Sequence, residues 1–199
     1  MTIENRDYEL IIDKSGSMGT TDIKGKSRWE VCKESTIAIV NKISSLDADG
    51  ITVYVFSNSF KRYDNTTPDK VEQIFKENEP MGGTDLGGVL KDSLSKYFER
   101  KTAGTAKPTT ILVITDGEPN NKNHVVSEII SATNKIDADE ELALSFIQIG
   151  NDAGASAFLK SLDDDLQAKG AKFDIVDTKT FDEVENIGIT ETLLSAISD

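Results

Sequence analysis

Asp13, Ser15 and Ser17 alternate directly after the run 8–12 (YELII), with Gly16 between the two serines. An acid and two alcohols at every second position put hard oxygen donors on one side of a tight turn. That set suits a small hard cation such as Mg²⁺, which takes oxygen ligands in an octahedron and keeps part of its water. The glycine lets the backbone bend closely around an ion. Two further stretches carry the same chemistry. Thr84 follows Gly82 and Gly83 just before a helical pattern, and Asp116 ends the apolar run 109–115 (TTILVIT). Asp13, Ser15, Ser17, Thr84 and Asp116 are therefore the candidate metal-binding residues. Two carboxylates and three hydroxyls leave a divalent ion incompletely neutralised, so such a site should recruit an outside anion.

These residues need elements to hold them. The runs 8–12, 51–56 (ITVYVF), 109–115 and 142–149 (LALSFIQI) read as buried strands, with a further short strand at 173–176. Residues 60–63 read as a short edge strand, and 18–27 (MGTTDIKGKS) as a polar loop. Apolar residues recur at three- and four-residue spacing from Trp29 to Leu46, Leu86 to Phe98, Val125 to Ile136 and Phe158 to Leu166, which is the helical pattern. Pro68 opens a short helix carrying Val71, Ile74 and Phe75 inward, and 181–197 holds the last helical material. Asp47 to Gly50 closes the first long helix.

Strands alternate with helices, and several strands are apolar on both faces. The expected architecture is α/β: a doubly wound, mostly parallel sheet of about six strands, with one short antiparallel edge strand and helices on both faces. In a parallel sheet the loops after the strands share one rim, where ligands bind. No linker, repeat or low-complexity tract interrupts the chain, so residues 1–199 read as a single domain.

The 199 residues carry a formal net charge of −13, with 37% hydrophobic and 29% charged residues. That balance is ordinary for a globular protein and excludes the basic footprint that nucleic acid or an anionic membrane surface requires. Cys32 is the one cysteine and lies on an apolar helical stripe, so it reads as a buried inert thiol and no internal disulfide forms. The first eight residues are polar and lack an apolar signal region, and no run approaches the ~20 apolar residues of a membrane span. A cytoplasmic location is the expectation.

Taken in order, Asp13-Lys-Ser15-Gly-Ser17, Gly82-Gly-Thr84 and Thr115-Asp116-Gly resemble the metal-ion-dependent adhesion site of the von Willebrand factor A domain. Phe56-Ser-Asn-Ser-Phe and Ile149-Gly-Asn-Asp-Ala also resemble this family, so the likeness covers nearly the whole chain and is closest to a bacterial intracellular type. The resemblance implies a non-enzymatic module. Ser15 and Ser17 would bind Mg²⁺ (or Mn²⁺ or Ca²⁺) directly, Thr84 directly or through water, and Asp13 and Asp116 mainly through coordinated waters. A Glu or Asp carboxylate of a partner protein would complete the ion. The loop 18–27 is several residues longer than in the shortest bacterial versions, and Thr20, Thr21 and Asp22 would face a partner, or Asp22 would compete for the ion. Some relatives switch between open and closed states by moving the last helix, here near 189–197.

Two other readings compete. A Mg²⁺-dependent phosphohydrolase of the haloacid dehalogenase type would use Asp13 as nucleophile, but it needs a second acid two residues on, where this chain has Ser15. A metal site that merely staples the fold is the third reading. Elsewhere the plainer assignments hold: Asp85 as a helix cap, Glu118 as rim surface, Lys14 as a solvated side chain, His124 as a solvated loop or helix-start residue, Asp163 to Asp165 as a solvated helix face, and Trp29 as a core or loop anchor. Gly87 and Gly88 at a helix start cost helix propensity and imply close packing there.

Overall fold

A computed structural model describes residues 5–44, 50–188 and 191–192. The helix end expected at Leu46 to Asp49 and most of the helical material expected at 189–197 lie outside the described residues. The main sheet has six strands in the order β5-β4-β1-β6-β7-β8. They are β1 (Asp7–Asp13), β4 (Ile51–Phe56), β5 (Phe60–Thr66), β6 (Thr109–Thr115), β7 (Leu142–Gln148) and β8 (Val176–Thr180). Every pairing is parallel except that of β5 with β4. The sheet is thus doubly wound and mostly parallel, with its antiparallel strand on one edge.

Alternation along the strands sorts the core into two layers. Tyr8, Leu10 and Ile12 of β1 pack with α1 (Arg28–Ile43), α2 (Pro68–Glu77) and α6 (Phe181–Ile187). Ile11 faces the other way, toward α3 (Leu86–Thr102), α4 (Lys122–Thr133) and α5 (Ala153–Asp164). Cys32 lies in the first layer, fully buried, and burial pushes its thiol well above the ordinary range. Trp29 stacks on Phe75 at 4.3 Å between ring centroids, which ties α1 to α2. Among the described residues no helix is long and apolar enough to cross a membrane.

Four details differ from the sequence reading. The segment 18–27 is not a plain loop. It contains a 3-10 turn at Gly16–Gly19 with Met18 buried, then a small hairpin of β2 (Thr21–Ile23) and β3 (Lys26–Ser27). Lys24 and Gly25 both have positive φ, the twist that a two-residue hairpin turn prefers. The eighth strand begins at Val176, where the apolar pattern placed its end. It is an edge strand whose outer half is polar, and a Lys179–Asp177 ion pair at 2.9 Å guards that edge. Asp163 is not purely solvated: its carboxylate accepts the Thr178 backbone N–H at 3.0 Å and docks α5 to β8. Finally, β1 is not wholly apolar. Glu9 is buried within it and accepts the Ser93 hydroxyl of α3 at 2.6 Å, with Arg100 at 3.4 Å.

Burial pushes the Glu9 carboxyl above its ordinary range, and the Ser93 bond pulls against that. Ser93→Ala should therefore cost about 1–3 kcal/mol in urea unfolding, because it leaves a buried acceptor with one donor fewer. The cost should be greater at pH 8, where Glu9 is more fully ionised, than at pH 5. An equal, small cost at both pH values would show that Ser93 does not hold the charge.

Candidate metal centre

The chain leaves β1 for β4 on one side and returns through α3 to β6 on the other, so the switch in direction falls at β1 and β6. Asp13 ends β1 and Asp116 follows β6, which puts both carboxylates in the crevice where such sheets bind ligands. Backbone hydrogen bonds stitch the loops together there. Gly16 N–H donates to the Gly82 carbonyl (3.1 Å) and Met81 N–H to the Lys14 carbonyl (2.7 Å). Asp85 N–H reaches the Ser57 carbonyl (2.8 Å), and Asn120 N–H the Thr84 carbonyl (2.9 Å). The side chains of Asn58 and Asn120 accept the N–H groups of Gly83 (2.9 Å) and Thr84 (3.1 Å). Gly82 sits at φ +82°, and a Cβ on Gly83 would meet Asn58 Oδ1 at 2.7 Å, so the glycine pair is what lets this loop close on its neighbours.

All five predicted residues lie on this rim. Asp13 Oδ1 accepts the Ser15 N–H at 2.7 Å, and Oδ2 accepts the Thr115 hydroxyl at 2.7 Å. Ser15 Oγ and Ser17 Oγ are 3.1 Å apart, and Ser17 donates to Asp116 Oδ1 at 2.8 Å. Thr84 is buried and lines one cavity with Ser17 and Asp116. Asp85, next to it, caps α3 by accepting the Gly88 N–H at 3.2 Å. The two glycines that open α3 have separate reasons. Gly87 leaves room for the ring of His124, which lies in the first turn of α4, and Gly88 for the Asp85 carboxylate.

Among the described residues there is no cluster of three or more His, Cys, Asp and Glu side chains able to hold a metal. Any ion here must rely on hydroxyls beside two carboxylates. That donor set, oxygen atoms only, fits a hard cation. The serine oxygens are hydrogen-bonded to each other at 3.1 Å, close enough for one ion to touch both.

Sequence reasoning missed Arg28. Its Nη1 donates to Asp116 Oδ2 at 2.8 Å, while Nε and Nη2 hold Asp22 on β2 at 3.1 and 2.5 Å. Asp22 is therefore engaged by Arg28, which draws its carboxyl below the usual range. The signal was present in the sequence. Arg28 is the first residue of a helix, where a cation opposes the macrodipole and needs acids to offset it. A capping box between Ser27 and Glu30 fixes that helix start and with it the root of the arginine. Glu118 pairs with Lys122 on the same rim.

Asp13 is fully enclosed, and burial pushes its carboxyl up to about 6, with the charge of Asp116 acting in the same direction. The bonds from Ser15 and Thr115 pull the other way. A carboxyl raised above its unfolded value of 3.8 binds its proton more tightly in the folded chain. Its contribution to stability is present below about pH 4 and is lost as the pH rises through about 6. Without metal, Asp13→Asn loses one of two accepted bonds at every pH but cannot ionise, so its cost in urea unfolding should be about 1–3 kcal/mol smaller at pH 7.5 than at pH 4. A cost independent of pH over that range would contradict a buried, proton-retaining Asp13.

Solved structures share this fold at low sequence identity. Manganese-loaded TRAP of Plasmodium vivax is 19% identical, with a TM-score of 0.59 over 96% of this chain and 74% of that one. A variant of the PilB minor pilin from Streptococcus sanguinis is 14% identical, with a TM-score of 0.64 over 100% and 61%. Proximal thread matrix protein 1 of the mussel byssus is 18% identical, with a TM-score of 0.63 over 98% and 47%. The chain thus spans under two thirds of the pilin and about half of the byssus protein. No curated protein sequence matches it at a significant level. Residues 9–118, more than half of the sequence, match the model of the von Willebrand factor type A domain. With the six-stranded sheet and the rim it carries, that match makes the chain a member of this family of generally non-enzymatic protein-interaction modules.

Proposed function

We propose that the domain binds a protein partner through a divalent cation, Mg²⁺ foremost, held by Ser15, Ser17 and Thr84. Asp13 and Asp116 orient the hydroxyls and the water on the ion. The observation that carries this reading is the pair of serine oxygens 3.1 Å apart, flanked by two buried carboxylates at the ends of adjacent strands. The direct ligands are neutral hydroxyls and Arg28 already offsets part of the carboxylate charge, so the ion is left short of negative charge. A Glu or Asp side chain of the partner supplies the missing charge and the remaining ligand. Met81, 61% exposed on the loop that carries Thr84, offers apolar contact beside the ion. The manganese in the Plasmodium TRAP structure supports a divalent metal on this fold.

The phosphohydrolase reading has little support. A nucleophilic carboxylate must be reachable by substrate, and Asp13 is 0% exposed with both oxygens engaged. Ser15 stands where the general acid would be required.

The test is affinity capture of partners with the wild-type domain in Mg²⁺, the same domain in EDTA, and Ser15→Ala in Mg²⁺. A partner retained only in the first case is the expected outcome, with the loss in Ser15→Ala occurring in a variant whose circular dichroism is unchanged. Retention in all three would mean that the rim is not the interface, and a large fall in Tm with chelator would then mark the ion as a fold staple.

A further inference from the structure

We propose that Arg28 is an internal counter-cation of the rim, opposing the metal for Asp116, and that Asp22 sets how strongly it does so. This rests on the metal-binding reading above and adds a regulator to it. Asp116 has two oxygens and two partners: Ser17 on Oδ1 and Arg28 on Oδ2. The guanidinium is only 13% exposed at the side chain, and it lines the same cavity as Ser17, Thr84 and Asp116. An ion on the serine oxygens would bring a second positive charge into that cavity, and two cations leaning on one carboxylate repel.

Arg28 is built into the rim by three independent features. The 3-10 turn presents the Thr20 carbonyl to the Arg28 N–H at 3.0 Å. The β2–β3 hairpin delivers Asp22, which holds the guanidinium through Nε and Nη2. On the far side, Gly150 has φ +78°, and a Cβ there would lie 2.7 Å from Arg28 Cζ and Nε. Only a glycine leaves the space that the guanidinium fills. A guanidinium is charged at any ordinary pH, so the opposition is permanent. Its strength depends on how much of that charge Asp22 neutralises. Asp22 thereby favours the metal through Arg28, and the hairpin inserted before α1 becomes a tuning element for ion affinity.

Titrating Mn²⁺ into the wild type, Arg28→Lys, Arg28→Gln and Asp22→Asn, read by calorimetry and by the electron paramagnetic resonance of free Mn²⁺, tests the proposal. Arg28→Gln should bind Mn²⁺ about tenfold more tightly than the wild type, within the range of ordinary coupling between sites. Arg28→Lys, which keeps the charge, should stay within a few-fold of the wild type. Asp22→Asn, an exposed substitution that leaves the core intact, should bind several-fold more weakly. Equal or weaker binding by Arg28→Gln in a folded variant would overturn the opposition and leave Arg28 a structural tie. Failure of all four proteins to bind Mn²⁺ would instead overturn the metal-binding reading itself. Binding by Arg28→Gln alone would support the opposition by Arg28 and overturn metal binding by the wild-type domain.

Discussion

The constraint on which this molecule turns is the burial of two carboxylates side by side. Asp13 and Asp116 end neighbouring parallel strands, and neither is accessible to solvent to any useful degree. Like charges out of water are costly unless hydrogen bonds and counter-charge compensate. Here the compensation comes from a backbone N–H, three hydroxyls of Ser15, Ser17 and Thr115 on and around the pair, and one guanidinium. Burial, with the nearby charge of Asp116, outweighs the bonds to Asp13 and pushes its carboxyl up to about 6. On the proposed reading, a cation on the rim would relieve that tension.

The remainder of the fold makes the tension tolerable. The two helical layers lock β1 and β6 by apolar packing on both faces, so the strand ends cannot spread. The loop before α3 is bonded to the loops after β1, β4 and β6, and Thr84 is carried to the rim by that lattice rather than by a strand of its own. At the opposite end of the sheet, Arg6 is buried and donates to Thr110 Oγ1 at 3.0 Å and to the Glu140 carbonyl at 2.8 Å. Charged groups at that end serve to anchor strands. At the rim they are held by hydroxyls, a backbone N–H and Arg28.

Much of this was legible in the residues. Strands such as Ile51–Phe56 and Thr109–Thr115 are bounded by polar turns and rich in β-branched residues, and they stand at the positions their pattern indicates. That five candidate residues share one rim was legible from three separate cues: the alternation of Asp13, Ser15 and Ser17 after a strand, Thr84 between a glycine pair and a helix, and Asp116 at a strand end. Apart from the local hairpin at 21–27, the misses share one physical cause. Hydropathy identifies buried apolar groups, whereas Glu9, Asp163 and the polar strand β8 are placed by partners distant in sequence. Arg28 belongs to the same class: 88 residues separate it from Asp116. Its position at the start of a helix was the available clue, and only the fold supplies the acid that explains it.

If the serine pair holds a divalent ion, the anomalous diffraction of a crystal of the domain grown with Mn²⁺ will reveal it. One strong peak is expected within bonding distance of the Ser15 and Ser17 hydroxyls, in the cavity that Thr84 and Asp116 line. No peak on the rim at full Mn²⁺ saturation, or a peak held elsewhere by surface acids, would contradict it.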